Sequence, residues 1–215
     1  MNHWVRSYGI GVPEEINPDL YRSIPDLFAS AVRTFSERPA FQCFGMSLTY
    51  AELDTLSRNV AAFLQKELGI KRGDRVALMM PNTFSFPIAM LGILRAGAVQ
   101  VNVNPLYTPH ELAHQLSDSG ATAIVIFGGC TPVLAPILSE TKIQKVIVAD
   151  LGDGSGLPIP SPGIAEGLGD VIKFSDILAR GAEMDFAPVE LSGDDLLFLQ
   201  YTGGTTGLSK GATLT

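Results

Sequence analysis

The eleven residues from Tyr201 to Gly211, Tyr-Thr-Gly-Gly-Thr-Thr-Gly-Leu-Ser-Lys-Gly, carry the most concentrated binding chemistry in the chain. Glycines let backbone N–H groups come close to a ligand and take positive φ. Successive N–H groups in such a turn make a concavity that binds anions. Threonine hydroxyls add donors, and the ammonium of Lys210 is a compact charge suited to phosphate. The residue types therefore point to a polyphosphate cradle built from Thr202, Gly203, Gly204, Thr205, Thr206, Gly207 and Lys210. A plain turn with an exposed lysine would not need so many donors. Two common phosphate loops do not fit. A Walker A loop needs glycine immediately before its lysine, and Ser209 stands there. The dinucleotide fingerprint G-x-G-x-x-G also fails, and in the nearby Gly152–Leu157 a leucine replaces its third glycine.

A second constellation proposes different chemistry. His110-Glu111-Leu112-Ala113-His114 is a literal His-Glu-x-x-His. On a helix the two histidines share a face and could ligate zinc, with Glu111 as general base of a metalloprotease. Glu140 or Glu166 would have to supply a third ligand. Against this, the match falls in the first turn of a helix that Thr108 should cap, and Glu111 is its N3 partner. The extended metzincin pattern also fails at Ser117 and Gly120.

The elements that must position these residues alternate. Ser23 caps a helix with Pro25 in its first turn and Leu27, Phe28, Ala31, Val32 and Phe35 on one face, ended by Pro39. Ala40–Tyr50 reads as a hairpin turning near Gly45. Thr49 and Glu52 form a capping box for a helix carrying Leu53, Leu56, Val60, Phe63 and Leu64 that stops at Gly69. A strand at Asp74–Met80, an apolar helix at Phe86–Ala98 and a strand at Val99–Val103 come after it. Next come the helix opened by Thr108 and Pro109, strands at Thr122–Phe127 and Lys145–Asp150, and a short helix near residues 131–140 between them. Gly152–Gly169, with six glycines and three prolines, reads as a surface loop or linker. Ser175 should cap a short helix, and a strand at Asp194–Tyr201 leads into the phosphate segment. This order predicts an α/β fold with a mostly parallel sheet flanked by helices. Such a sheet binds ligands at the ends of its strands.

Composition sets limits. The chain has 215 residues, 46% hydrophobic and 17% charged, with net charge -7. That balance argues against nucleic acid or an anionic membrane surface as an electrostatic partner. Cys43 and Cys130 are too few for a disulfide or zinc scaffold and read as buried thiols. The N-terminal residues lack the apolar stretch of a signal peptide, and no run approaches the length of a membrane span. A mean hydropathy of +0.24 is high for a soluble domain and fits a chain cut in mid-fold. Trp4 and Tyr8 read as packing residues. Asn102, Asn104 and Tyr107 read as a polar loop after a strand.

The segment Tyr201–Gly211 resembles the Y-T-S-G-T-T-G-x-P-K-G motif of the adenylate-forming enzyme superfamily. It departs at Gly203, where serine is usual, and at Ser209, where proline is usual. Both departures resemble the bacterial long-chain fatty acyl-CoA synthetase branch, as do Val101–Ala121, Leu48–Leu53 and Asp74–Asn82. The resemblance covers nearly the whole chain except the Gly/Pro-rich segment. The family usually carries arginine at position 110, so the His-Glu-x-x-His match looks accidental.

The resemblance implies a two-step reaction. A fatty acid carboxylate attacks the α-phosphorus of ATP with magnesium assistance, and the thiol of coenzyme A then takes the acyl group. Thr202–Gly207 and Lys210 would hold the β- and γ-phosphates, and no catalytic acid or base would lie in this chain. Another acyl- or aryl-CoA ligase, or an acyl-AMP ligase, is the runner-up within the superfamily. A short protein that only binds nucleotide is the third reading. The chain would be the incomplete N-terminal part of the large AMP-binding domain, inactive alone. Its parts would be an N-terminal segment (1–22), an α/β core (23–149), a Gly/Pro-rich loop (150–170) and a strand with the phosphate loop (171–215). The resemblance also implies a cytoplasmic enzyme, a homodimer contact through the N-terminal segment, and peripheral association with the inner membrane.

Overall fold

A computed structural model describes residues 3–202 and 208–215. The elements, in chain order, are α1 (Ile24–Phe35), β1 (Pro39–Cys43), β2 (Met46–Thr49), α2 (Tyr50–Lys66), β3 (Arg75–Met79), α3 (Ser85–Arg95), β4 (Val99–Asn102), α4 (Pro109–Ser119) and β5 (Ala123–Phe127). They continue with α5 (Thr131–Leu134), β6 (Lys145–Ala149), β7 (Val171–Lys173), α6 (Phe174–Gly181), β8 (Phe198–Thr202) and β9 (Lys210–Leu214). Strands β1 and β2 form a separate hairpin whose turn residues Phe44 and Gly45 have φ of 51° and 76°. Among the described residues, no helix is long and apolar enough to cross a membrane.

The main sheet has the order β7-β6-β5-β3-β4-β8-β9. Every pairing is parallel except β8 with β9. From β3 the chain steps one way to β4, then back across β3 to β5 and on to β6 and β7. A crossover between parallel strands is right-handed, so reversing the direction of travel reverses the covered face. Accordingly α3 packs on one face and α4 on the other. Alternation along β3 serves both layers: Val76 and Leu78 enter the core shared with α2, α3 and α6, and Ala77 and Met79 enter the core shared with α4 and α5. A sheet buried on both faces explains why its strands read as apolar runs rather than alternating ones.

Caps and close contacts fix the helices. The capping boxes expected at Thr49/Glu52 and Thr108/Glu111 both form, and Ser23 caps α1. On the α3 side Arg95, with its side chain 10% exposed, ties three helices together. Its guanidinium donates to the Asp54 carbonyl (2.7 Å), the Ser57 hydroxyl (2.8 Å) and the Asp54 carboxylate, and lies 5.4 Å from the Phe28 ring centroid.

Several boundaries differ from the sequence expectations. Helix α1 ends at Phe35, and Pro39 opens β1 instead of terminating the helix. Ser175 lies inside α6; Lys173 is the N-cap and makes no side-chain capping bond. The three-residue strand β7, absent from the sequence reading, pulls the helix start forward. The expected helix near 131–140 divides into α5 and a 3-10 segment. Asp194 and Asp195 precede β8 in a turn in which Asp195 accepts from the Ser192 N–H (2.7 Å). The Gly/Pro-rich segment is docked rather than free: Leu168 is buried, and the Ala165 N–H donates to the Thr131 hydroxyl (3.0 Å). Trp4 and Tyr8 are 59% and 42% exposed, so they do not pack as expected, and Cys43 is only half-buried.

Helices α2 and α6 meet at Gly181, where an added Cβ would run into the backbone of Asn59. Gly163, by contrast, has open space around its Cα. Gly181→Ala should destabilise the chain by about 1–3 kcal/mol through overpacking. Gly163→Ala should stay within about 0.5 kcal/mol of the parent. Urea unfolding followed by circular dichroism compares the two, and equal midpoints would show that the helix contact does not constrain position 181.

Candidate functional site

Strand β8 runs parallel to β4 and β3, so its C-terminal residue Thr202 reaches the same rim as Asn102 and Met79. Ligands of open α/β sheets collect at that rim. The chain then returns antiparallel, with Tyr201 opposite Gly211 and Thr202 opposite Lys210. Two of the expected phosphate contacts, Thr202 and Lys210, thus form a cross-strand pair at the base of the connection, both exposed. Gly203, Gly204, Thr205, Thr206 and Gly207, the other expected contacts, lie outside the described residues.

The glycine at 211 has a packing reason. A Cβ there would sit 2.9 Å from the ring of Tyr201. The ring is buried on the α4 side, and its hydroxyl donates to Asp118 of α4 (2.6 Å). Burial, then the bond to Asp118 and its negative charge, push the Tyr201 phenol well above its ordinary value. One turn earlier on α4, His114 Nε2 lies 3.0 Å from the Ser209 carbonyl oxygen. A carbonyl only accepts, so Nε2 carries the proton in this contact. Gln115 donates to the Asn102 carbonyl at the end of β4 (2.6 Å).

On the opposite face of the sheet, Gln100 donates to the Asn102 side chain, which donates to Gln200 (2.5 Å). This amide series leads from the core to the rim. It borders a crevice of ≈ 520 Å³ lined by Met80, Asn82, Asn104, Tyr107 and Gln200 among others. Asn102 therefore closes β4, within the strand expected at Val99–Val103, and belongs to this series rather than to the polar loop after it. The Asn104 side chain does serve a turn, accepting from the Leu106 N–H (3.0 Å).

The His-Glu-x-x-His residues are drawn into separate tasks. The Glu111 carboxylate accepts from the Thr108 N–H (2.8 Å) and hydroxyl (2.7 Å). These two bonds, the backbone one foremost, hold its pKa below the usual carboxylate range, which suits a cap and not a general base. His110 is exposed, and His114 faces the Ser209 carbonyl. Among the described residues, no cluster of three metal-ligating side chains forms.

Sequence reasoning missed the roles of Tyr201, Asp118, His114 and Gln100. Their signal was polar spacing: Gln100 and Asn102 interrupt an apolar strand at period two, and His114 and Asp118, four apart, share one face of α4.

The model of a family described as AMP-binding enzyme matches residues 28–215. A long-chain-fatty-acid--CoA ligase of Escherichia coli O6:H1 is 47% identical over 223 residues, covering 99% of this chain and 40% of the relative. A ligase of the same description from Haemophilus influenzae is 42% identical over 227 residues, with the same coverage of both. The crystal structure of a long-chain-fatty-acid-CoA ligase from Archaeoglobus fulgidus superposes with a TM-score of 0.75 at 28% identity, covering 97% of this chain and 39% of that one. An anthranilate CoA ligase shares the fold with a TM-score of 0.78 at 20% identity, covering 92% of this chain and 36% of its own. The chain spans about two fifths of the length of the curated relatives it matches.

Tyr201→Phe keeps the ring and removes the bond to Asp118; it should cost about 1–2 kcal/mol in urea unfolding. The folded chain holds this phenol proton beyond the value of about 10 that the unfolded chain shows. The contribution is therefore complete below pH ~10 and is lost as pH rises toward the folded pKa. Stability measured at about pH 9 and pH 11 should fall more steeply in the parent than in Tyr201→Phe. Parallel declines would place the alkaline loss elsewhere.

Proposed function

Because the chain belongs to the AMP-binding enzyme family, we propose that it forms the N-terminal part of a ligase that activates a long-chain fatty acid with ATP and passes the acyl group to coenzyme A. The observation that carries this reading is the pairing of Thr202 with Lys210 at the sheet rim, on either side of a glycine- and threonine-rich connection. The relatives, long-chain-fatty-acid--CoA ligases, support the substrate class.

In this reading Thr202, Gly203, Gly204, Thr205, Thr206, Gly207 and Lys210 hold the β- and γ-phosphates of ATP. A carboxylate oxygen of the fatty acid bonds to the α-phosphorus as the bond from that phosphorus to the pyrophosphate oxygen breaks. Backbone N–H donors of this segment and the ammonium would stabilise the negative charge that builds on the departing pyrophosphate. The coenzyme A thiol then attacks the acyl carbon, and AMP leaves. Magnesium, when bound, would neutralise phosphate charge. The nearby carboxylates of Asp118 and Glu111 are engaged by Tyr201 and Thr108, so no step here runs through a metal ligand of this chain.

The parts of the chain follow the same reading: residues 1–22 as an N-terminal segment, 23–149 as the α/β core, 150–170 as a packed loop, and 171–215 as the phosphate-binding end. Exposed Trp4, Tyr8, Ile10 and Ile16 support a homodimer contact or peripheral membrane association in the cytoplasm through the first of these. Fold neighbours described as acting on anthranilate and benzoate favour an aryl acid as the second substrate reading.

The test is ATP–pyrophosphate exchange by the complete ligase with palmitate, benzoate or anthranilate as acid. Palmitate should support exchange, and Lys210→Ala should lower kcat/KM for ATP about a hundredfold. Exchange with the aryl acids alone would move the reading to the second class. Full activity in Lys210→Ala would remove the phosphate site, and robust turnover by the 215-residue chain alone would refute its place as one part of a larger active site.

A further inference from the structure

In the His-Glu-x-x-His segment only Glu111 serves the cap, and of the two histidines His110 is exposed while His114 meets the chain beyond α4. His114 points its Nε2–H at the Ser209 carbonyl (3.0 Å), across 95 residues of sequence. Ser209 is the residue immediately before Lys210 and has no ring to restrain its own φ. One turn further along α4, Asp118 accepts from the Tyr201 hydroxyl (2.6 Å), the residue immediately before Thr202. Residues 114 and 118 are four apart, so one face of the helix reaches both β8 and the residue that precedes β9. Between them Gln115 holds the Asn102 carbonyl at the end of β4 (2.6 Å). The helix is itself anchored by its capping box and by Leu112 and Leu116, both fully buried.

We propose that His114, seconded by Asp118, is a positioning residue for ATP binding: from α4 it fixes the Ser209–Lys210 peptide, and with it the place of Lys210 opposite Thr202. This rests on the reading of residues 202–210 as a phosphate site. Neutral imidazole protonated at Nε2 and imidazolium both donate through that nitrogen, so the contact needs a donor at this point and not a particular charge. Glutamine, with an amide N–H at a comparable reach, should replace histidine; alanine should not. Burial does not explain the contact, because His114 is half-exposed and Ser209 is likewise only part-covered.

The experiment measures pyrophosphate exchange by the complete ligase with palmitate, for the parent, His114→Ala, His114→Gln and Asp118→Asn. His114→Ala should raise KM for Mg·ATP about tenfold, as expected for one lost hydrogen bond, while KM for palmitate stays within about twofold. His114→Gln should recover most of the loss, and Asp118→Asn should fall between. A His114→Ala enzyme whose KM for ATP is unchanged overturns the proposal. An equal rise in both KM values also overturns it, because that marks general loss of structure. If the parent shows no exchange with any acid, the activity reading fails on its own, and amide hydrogen exchange in the 215-residue chain decides the positioning. Faster exchange at Lys210 and Gly211 in His114→Ala, about tenfold with β3 amides unchanged, supports it; equal rates overturn it.

Discussion

A parallel sheet leaves neither face for water. Each strand must carry apolar side chains both up and down, and each crossover must return over a face that still needs covering. In this chain that requirement decides where the helices lie and what they can reach. Val76 and Leu78 need α2 and α3; Ala77 and Met79 need α4. The reversal of direction after β4 is what delivers α4 to the far face. Once there, its N-terminal cap, its buried leucines and its polar flank are all fixed relative to the strand ends. The rim inherits its geometry from the core beneath it.

That inheritance explains why so much could be read in advance. Periodicity and caps marked α1, α2, α3 and α4, because Ser23, Thr49 and Thr108 satisfy backbone donors that a helix start always leaves open. Apolar runs marked β3, β5 and β6, because burial on both faces writes itself into every position. Reading failed where tertiary contact, rather than local chemistry, sets the boundary. Three residues of β7 exist because β6 offers them an edge, and their pairing shifts the start of α6 past the serine that local rules would choose. The docking of Leu168 and Ala165 is likewise invisible in a stretch whose composition reads as a linker.

The candidate site shows the same division. Glycine density and Lys210 drew the sequence reading because phosphate binding demands donors and positive charge in one place, and of that segment the structure shows the Thr202–Lys210 pair. The reason for Gly211 was not, since it is the ring of Tyr201 on the neighbouring strand. Nor was the partner of that ring, since Asp118 lies 83 residues away. The His-Glu-x-x-His match points toward a metal by spacing alone, and the expected Thr108 cap already spoke against it. In the folded chain the cap takes Glu111, and the Ser209 carbonyl, just before β9, takes His114. A spacing motif specifies a shared helix face; what the face meets is decided by topology.

Strand β9 ends the sheet order, and its sequence Lys-Gly-Ala-Thr-Leu is exposed along most of its length. Among the described residues it pairs with β8 on one side, and a border strand presents its outward peptide groups for pairing. The phosphate segment is therefore bounded on one flank by a template. A polypeptide strand that paired there, from the same protein or another, would stiffen the hairpin base where Thr202 stands opposite Lys210.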